Sequence, residues 1–179
     1  MNIIEKAGRI AIIKHKDQKR KNDGFPYIIH PFMVANKLAQ HGFGDKVIAA
    51  GLVHDVLEDS DTSRSELVKD LGEDVVSIID AISEDMDLEW EIRKEQYAKD
   101  LKEASVETKA VSVADKIHNM GNMLETYKKE GEDLWKKFGR GKEKKIWFEE
   151  LVLQALKDSW EHPLVNEYED LIKEFKKLD

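Results

Sequence analysis

Cysteine is absent from the 179 residues. That excludes disulfides and thiolate ligands, so any bound metal is held through nitrogen and oxygen. Proline and glycine are scarce, at three and ten, which leaves little material for the frequent turns of a many-stranded fold. Basic charge is in deficit too: a formal net charge of −8 speaks against broad nucleic-acid binding, because polyanions are held mainly through basic surface. No apolar stretch approaches the length that crosses a bilayer, and the first residues lack a secretory apolar core. Cytoplasm is therefore the expected location, with neither a membrane nor nucleic acid as partner. What is abundant is charge, 37% of residues against 41% hydrophobic. That mixture describes a globular chain with a heavily solvated surface, long enough for one domain with a sizeable core and short for two.

Apolar residues recur at helical rather than alternating spacing, so the chain reads as helices joined by short turns. A first helix is expected over Ile3 to Arg20, with Ile3, Ile4, Ala7, Ile10, Ala11 and Ile13 on its apolar side. Its basic tail runs into the breaker Asn22-Asp23-Gly24. His30-Pro31 opens a second helix, proline being favoured in a first turn, and Gly42 stops it. A third carries Leu52 to Asp59. Ser63-x-x-Glu66 is a capping box for a fourth, which Gly72 ends. Glu73 to about Glu84 is a fifth, carrying Val75, Val76, Ile78, Ile79 and Ile82. Leu88 to Glu103 reads as a charged surface helix anchored by Trp90, Ile92, Tyr97 and Leu101. Ser105 caps the next, from Val106 past Leu124, whose Ala110 to Ala114 are apolar enough for a core helix. Gly139-Arg140-Gly141 is a flexible joint before two last helices, about Lys142–Trp160 and Leu164–Leu178. Leu171, Ile172, Phe175 and Leu178 suit the final helix to docking on the domain or on a second subunit, so a homo-oligomer is one reading. No repeat or low-complexity tract divides the chain, which is read as one all-α domain.

One stretch sits badly with its surroundings. Leu52-Val53-His54-Asp55-Val56-Leu57-Glu58-Asp59 lies in an apolar run that begins at Val47, yet carries a histidine and three carboxylates. Read as a helix, Glu58 follows His54 by four residues and Asp55 by three, which brings these side chains to one side. Carboxylates gathered at an apolar wall repel one another and lose solvation unless a cation or a proton compensates. A divalent metal is the simplest compensator, and it needs ligands from elsewhere. His30 follows the apolar Ile28-Ile29, and Asp115 interrupts the most apolar helix. Singly, His30 reads as a capping or core histidine and Asp115 as the point where a helix surfaces. Together, His30, His54, Asp55 and Asp115 make a two-nitrogen, two-oxygen metal site, because each is a polar group in apolar sequence that needs a partner.

His30, the His54-Asp55 pair and Asp115 have the order and spacing of the HD-domain metal-dependent phosphohydrolases. The words around them are narrower. His15-Lys16-Asp17-Gln18-Lys19-Arg20-Lys21, Pro26-Tyr27-Ile28-Ile29-His30-Pro31, His54-Asp55-Val56-Leu57-Glu58-Asp59-Ser60-Asp61-Thr62 and Ala114-Asp115-Lys116-Ile117-His118-Asn119-Met120 resemble the hydrolase domain of the RelA/SpoT homologues. Length and layout resemble that group's small alarmone hydrolases, which remove the 3′-pyrophosphate of ppGpp. The resemblance implies an all-α, single HD-domain bundle of about eight to ten helices over residues 1–179. Its motif-bearing part would span about 3–124 and a helical C-terminal part about 125–179.

The resemblance also implies roles. His30, His54, Asp55 and Asp115 would be ligands of a divalent ion, manganese in that family, with Fe²⁺ or Zn²⁺ equally compatible with such donors. Glu58 and Asp59 match the family's acidic pair, whose work is to orient or deprotonate the attacking water and manage the leaving-group proton. They also read as a solvated helix end, although acids are unfavourable at a helix C-terminus. Arg20 and Lys21 match positions that contact the substrate's phosphates, and they read equally as the solvated basic end of a helix. Asn119 is either a substrate contact or a helix-packing amide; His15 and Gln18 would brace the site. Two departures bear on the nucleotide: Gly121-Asn122 stands where a basic residue is common, and Trp147 where a tyrosine often contacts substrate. The activity implied is hydrolysis of ppGpp and pppGpp to GDP or GTP and pyrophosphate. The alternatives are an HD-superfamily enzyme acting on another nucleotide and a catalytically silent regulatory module.

Overall fold

The computed structural model describes residues 1–21, 23–81, 84, 86–137 and 139–178. Among them regular structure is helical, apart from one isolated antiparallel bridge between Lys19 and Pro26. The helices are α1 (Ile3–Lys14), α2 (Ile29–Gln40), α3 (Asp45–Val53), α4 (Val56–Asp59), α5 (Arg64–Leu71), α6 (Glu73–Asp80) and α7 (Trp90–Glu103). They continue with α8 (Val106–Glu130), a 3-10 turn (Gly131–Lys137), α9 (Gly141–Ser159) and α10 (Pro163–Lys176). Their ends follow local chemistry. Asn2 accepts the Glu5 amide at 2.8 Å, and Ser63 and Glu66 form the reciprocal capping box expected of them. Gly42 (φ 76°) and Gly72 (φ 86°) occupy the left-handed region that stops α2 and α5.

The first helix is shorter than its pattern suggests. It ends at Lys14, where His15 caps it, and Ile13 is 63% exposed. The basic segment beyond it is therefore a bridged loop, held by the Arg20 amide on the Phe25 carbonyl (2.8 Å) and the Tyr27 amide on the Gln18 carbonyl (2.9 Å). The third helix breaks in two. In a continuing helix the Asp55 amide would bond the Gly51 carbonyl; here the His54 ring takes that carbonyl at 2.8 Å, and α4 restarts as a single turn. α6 stops at Asp80, short of the expected Glu84; Ile82, like Asn22 of the expected breaker, lies outside the described residues. α7 begins at Trp90 rather than Leu88, and Ile92, expected as an anchor, is 53% exposed.

Two apolar clusters share α8 as their spine. Ala110, Val111 and Ala114 face the first, which α1, α2, α3, α5 and α6 complete. Val113, Ile117, Met120 and Leu124 face the second, with Leu101 of α7, Phe148 and Val152 of α9, and Tyr168, Ile172 and Phe175 of α10. Residues one and four apart turn to one side of a helix and their neighbours to the other, so one helix serves both cores. α10 docks on α8 and α9, so Ile172 and Phe175 are buried within the chain itself.

Gly51 in α3 lets α2 approach. A Cβ there would lie 2.6 Å from Leu38 Cδ1 and 3.6 Å from the Ala35 Cα, with Leu38 fully buried. Gly51→Ala is expected to cost about 1–3 kcal/mol by overpacking, read as a lowered denaturation midpoint. Gly8 in α1 meets nothing nearer than 3.9 Å, so Gly8→Ala is expected to be neutral or to add up to about 1 kcal/mol through helix propensity.

Candidate metal centre

The site is assembled from α2, the α3–α4 break and the middle of α8. His30, the second residue of α2, is 1% exposed. Its Nε2 lies 3.1 Å from Asp115 Oδ1 and 3.5 Å from Asp55 Oδ2. His54 Nε2 lies 3.2 Å from Asp55 Oδ2 and 3.8 Å from Asp115 Oδ1. His30, His54 and Asp115 each present a ligand atom within 4.8 Å of the others. Asp55 stands outside that group of three, but its Oδ2 lies beside both imidazoles and accepts the Tyr27 hydroxyl at 2.6 Å.

Both imidazoles are arranged as ligands. A carbonyl only accepts, so His54 donates from Nδ1 to Gly51 and turns Nε2 into the cluster, where that atom is buried without a hydrogen-bond partner. A buried ring nitrogen left unpartnered in this way is unfavourable unless a proton or a metal ion sits between it and the carboxylates. His30 Nδ1 lies 2.6 Å from His118 Nδ1. Were His30 to turn a bare Nε2 to an ion, its Nδ1–H would donate and His118 would accept. Metal-binding histidines usually spend their second nitrogen this way, on a group that fixes tautomer and tilt. Two imidazoles and carboxylate oxygens without sulfur suit a divalent ion of the manganese, iron or zinc type. The residues present fit such an ion.

The electrostatics agree. Burial alone would lower the His54 pKa, but Asp55 and Asp115 outweigh it and hold the imidazole at about 9. The cluster thus attracts positive charge in the absence of a metal. Burial lowers the pKa of His30, against the pull of Asp115. Burial, with His30 and Arg20 nearby, lowers His118 to about 4 and keeps it neutral. Burial would raise the Asp115 carboxyl, yet Lys116, with His30 and His54, holds it well below the usual range. Lys116 supports Asp115 from behind, its Nζ 3.1 Å from Oδ2 and within cation–π range of Tyr97 at 4.9 Å.

A cavity of about 720 Å³ opens beside the cluster, a size suited to a nucleotide. Arg20, Lys21, Asp59 and Asn119 line it; Glu58 and Trp147 do not. Trp147 is in contact with the lining rather than part of it, its ring 5.7 Å from that of Trp90, which does face the cavity. Arg20 donates to Asn119 Oδ1 at 2.8 Å, and Asn119 Nδ2 donates to Asp115 Oδ1 at 2.5 Å. The amide thus joins the basic wall to the metal cluster, and neither simple reading of Asn119 describes it fully. Burial, then the Asp55 charge, raises the pKa of both Glu58 and Asp59.

Sequence reasoning did not assign His118, Tyr27 or Lys116, nor the far wall made by Trp90, Lys94, Arg140 and Lys145. His118 had a usable signal, since it stands three residues after Asp115 and so on the same face of α8. The far wall had only the resemblance at Trp147, because α7 and α9 meet the site through packing.

The HD domain family matches residues 7–144. The guanosine-3′,5′-bis(diphosphate) 3′-pyrophosphohydrolase of Borreliella burgdorferi is 37% identical over 123 residues, 65% of this chain and 18% of that protein. The protein of the same description from Aquifex aeolicus is 45% identical over 80 residues, 11% of its length. The chain therefore spans less than a fifth of either bacterial relative. The MESH1 pyrophosphohydrolase of Xenopus tropicalis is 34% identical over 124 residues, 68% of this chain and 69% of its own. Among solved structures, lmo0812 of Listeria monocytogenes superposes with a TM-score of 0.78 at 30% identity, covering 83% of this chain and 99% of its own. A metazoan SpoT orthologue described as hydrolysing ppGpp superposes with a TM-score of 0.80 over 97% of this chain and 96% of its own; at 22% identity it speaks to the fold.

Asp115→Ala is expected to abolish tight divalent-ion binding, and His118→Ala to weaken it by about 10–100-fold through loss of the His30 acceptor. Titration calorimetry with Mn²⁺ measures both. Wild-type affinity in the Asp115 variant would overturn the ligand assignment.

Proposed function

The chain belongs to the HD-domain family, and we propose that it is a manganese-dependent hydrolase removing the 3′-pyrophosphate of ppGpp and pppGpp. The products are GDP or GTP and pyrophosphate, and the expected setting is the cytoplasm. The observation that carries this is the buried, unpartnered His54 Nε2, facing the carboxylates of Asp55 and Asp115 beside a nucleotide-sized cavity with a basic wall. The relatives described as pyrophosphohydrolases of guanosine-3′,5′-bis(diphosphate) supply the substrate.

His30, His54, Asp55 and Asp115 would hold the ion. Bound there, it would supply Lewis acidity for the phosphoryl group and for a nearby water. Arg20 and Lys21 orient the phosphates, Arg20 exchanging its bond to Asn119 for bonds to phosphate oxygens through its planar fork. Asn119 stays on Asp115 and keeps that carboxylate aimed. Glu58 and Asp59, with carboxyls raised above the ordinary range, take the proton of the attacking water and return it to the 3′-oxygen as its bond to phosphorus breaks. Trp147 backs Trp90 in the far wall.

A second reading keeps the site and changes the nucleotide. It is favoured by Trp147, which is not among the lining residues and has no phenol hydroxyl to offer a phosphate.

Purified Mn²⁺-loaded protein is expected to release pyrophosphate from ppGpp, to lose activity on chelation and to regain it with Mn²⁺. Orthophosphate from nucleoside monophosphates, with ppGpp untouched, would select the second reading. Glu58→Gln is expected to retain the ion and lower kcat at least a hundredfold. Arg20→Ala should raise KM by about 10–100-fold, the worth of a charged hydrogen bond; an unchanged KM would remove it from the substrate.

A further inference from the structure

His15 follows the last residue of α1 and is 1% exposed. Its Nδ1 lies 2.7 Å from Gln18 Oε1. Gln18 has no freedom to turn its amide round, because its Nε2 donates to the Asp59 carbonyl at 2.6 Å. Oε1 therefore faces His15, and the proton between them belongs to His15 Nδ1. On its other side the His15 ring packs against Tyr27, centroids 5.0 Å apart. The Tyr27 amide bonds the Gln18 carbonyl at 2.9 Å, and its hydroxyl holds Asp55 Oδ2 at 2.6 Å. One ring thus touches two arms, one ending on Asp59 and the other on Asp55.

The first arm carries mechanical consequence. α4 is a single turn, Val56–Asp59, and a helix of that length does not hold itself. The Asp59 carbonyl at its end is gripped from outside by Gln18 alone among the bonds described. Space-filling does not account for His15: its Nε2 is buried with no hydrogen-bond partner, a cost an apolar ring of similar size would avoid. What an apolar ring lacks is the Nδ1 donor.

We propose that His15 is a positioning residue: its Nδ1–H fixes the Gln18 amide, and through it the end of α4 that presents Asp59 to the site. The effect on turnover rests on the hydrolase reading above; the tautomer and the Gln18 bond do not.

Three substitutions separate this role from packing. Asn places an amide nitrogen where Nδ1 lies, Gln places it where Nε2 lies, and Leu supplies neither. With the full-length Mn²⁺-loaded protein and ppGpp, His15→Gln and His15→Leu are expected to lower kcat by about 10–100-fold, the scale of a slightly misplaced catalytic group. KM and Mn²⁺ affinity should stay within about threefold. His15→Asn should recover most of the lost kcat. Should the leucine variant fail to fold, the asparagine–glutamine pair decides. Equal kcat in those two, or a loss confined to KM, overturns the proposal. Long-range ¹H–¹⁵N NMR of the wild-type His15 ring supplies a test without substrate. An Nδ1–H tautomer is expected, and an Nε2–H tautomer overturns the proposal. Wild-type protein inert towards ppGpp but showing the Nδ1–H tautomer would sink the hydrolase reading and leave the positioning geometry standing.

Discussion

Bringing Asp115 to the buried imidazoles of His30 and His54, with Asp55 Oδ2 beside both rings, is the constraint around which the rest is built. Two carboxylates near each other in a water-poor setting each lose solvation and repel one another, and only positive charge between them reverses the balance. The chain supplies part of that charge from outside the cluster. Lys116 stands against Asp115 Oδ2, while the Tyr27 hydroxyl takes one lone pair of Asp55. The raised pKa of His54 and its open Nε2 mark what is still missing at the centre. An ion would complete the arrangement by replacing a proton.

α8 makes the arrangement affordable. Burying Asp115 in mid-helix is tolerable because α8 is packed on both sides, by the first apolar cluster through Ala110, Val111 and Ala114 and by the second through Val113 and Ile117. Rigid neighbours hold the carboxylate without help from a loop. The same helix places Lys116, His118 and Asn119 within one turn of Asp115, so its anion support, the His30 acceptor and the link to Arg20 all come from a single element. The cavity wall and the His–Asp cluster are therefore joined. The Arg20–Asn119–Asp115 chain runs from the cavity wall to the cluster in two hydrogen bonds.

The less regular parts sit where the chemistry is. The break at His54 gives up a helical hydrogen bond so that the imidazole can use the Gly51 carbonyl, and the bridged loop after α1 brings Gln18 and Arg20 to the cavity from one side. Such departures are tolerated because the surrounding helices are secured by caps and by two cores.

The amino-acid order alone determined the helical class, most helix starts and stops, and the types of ligand available. Those depend on periodicity, on capping residues such as Ser63 and Ser105, and on the absence of cysteine, all of which act over a few residues. His30, His54 and Asp115 could be singled out for the same reason, each being a polar group stranded in apolar sequence. What only tertiary structure decided is where helices yield to the site. The basic segment after Lys14 is a loop because Tyr27 and Phe25 pair with it, and the helix at His54 breaks because a side chain outcompetes a backbone amide. His118 meets His30 only when α2 packs on α8, and Trp90, Lys94, Arg140 and Lys145 line the cavity together only when α7 and α9 pack on each other. Such contacts join residues far apart in the chain, and no local pattern records which distant surfaces will meet.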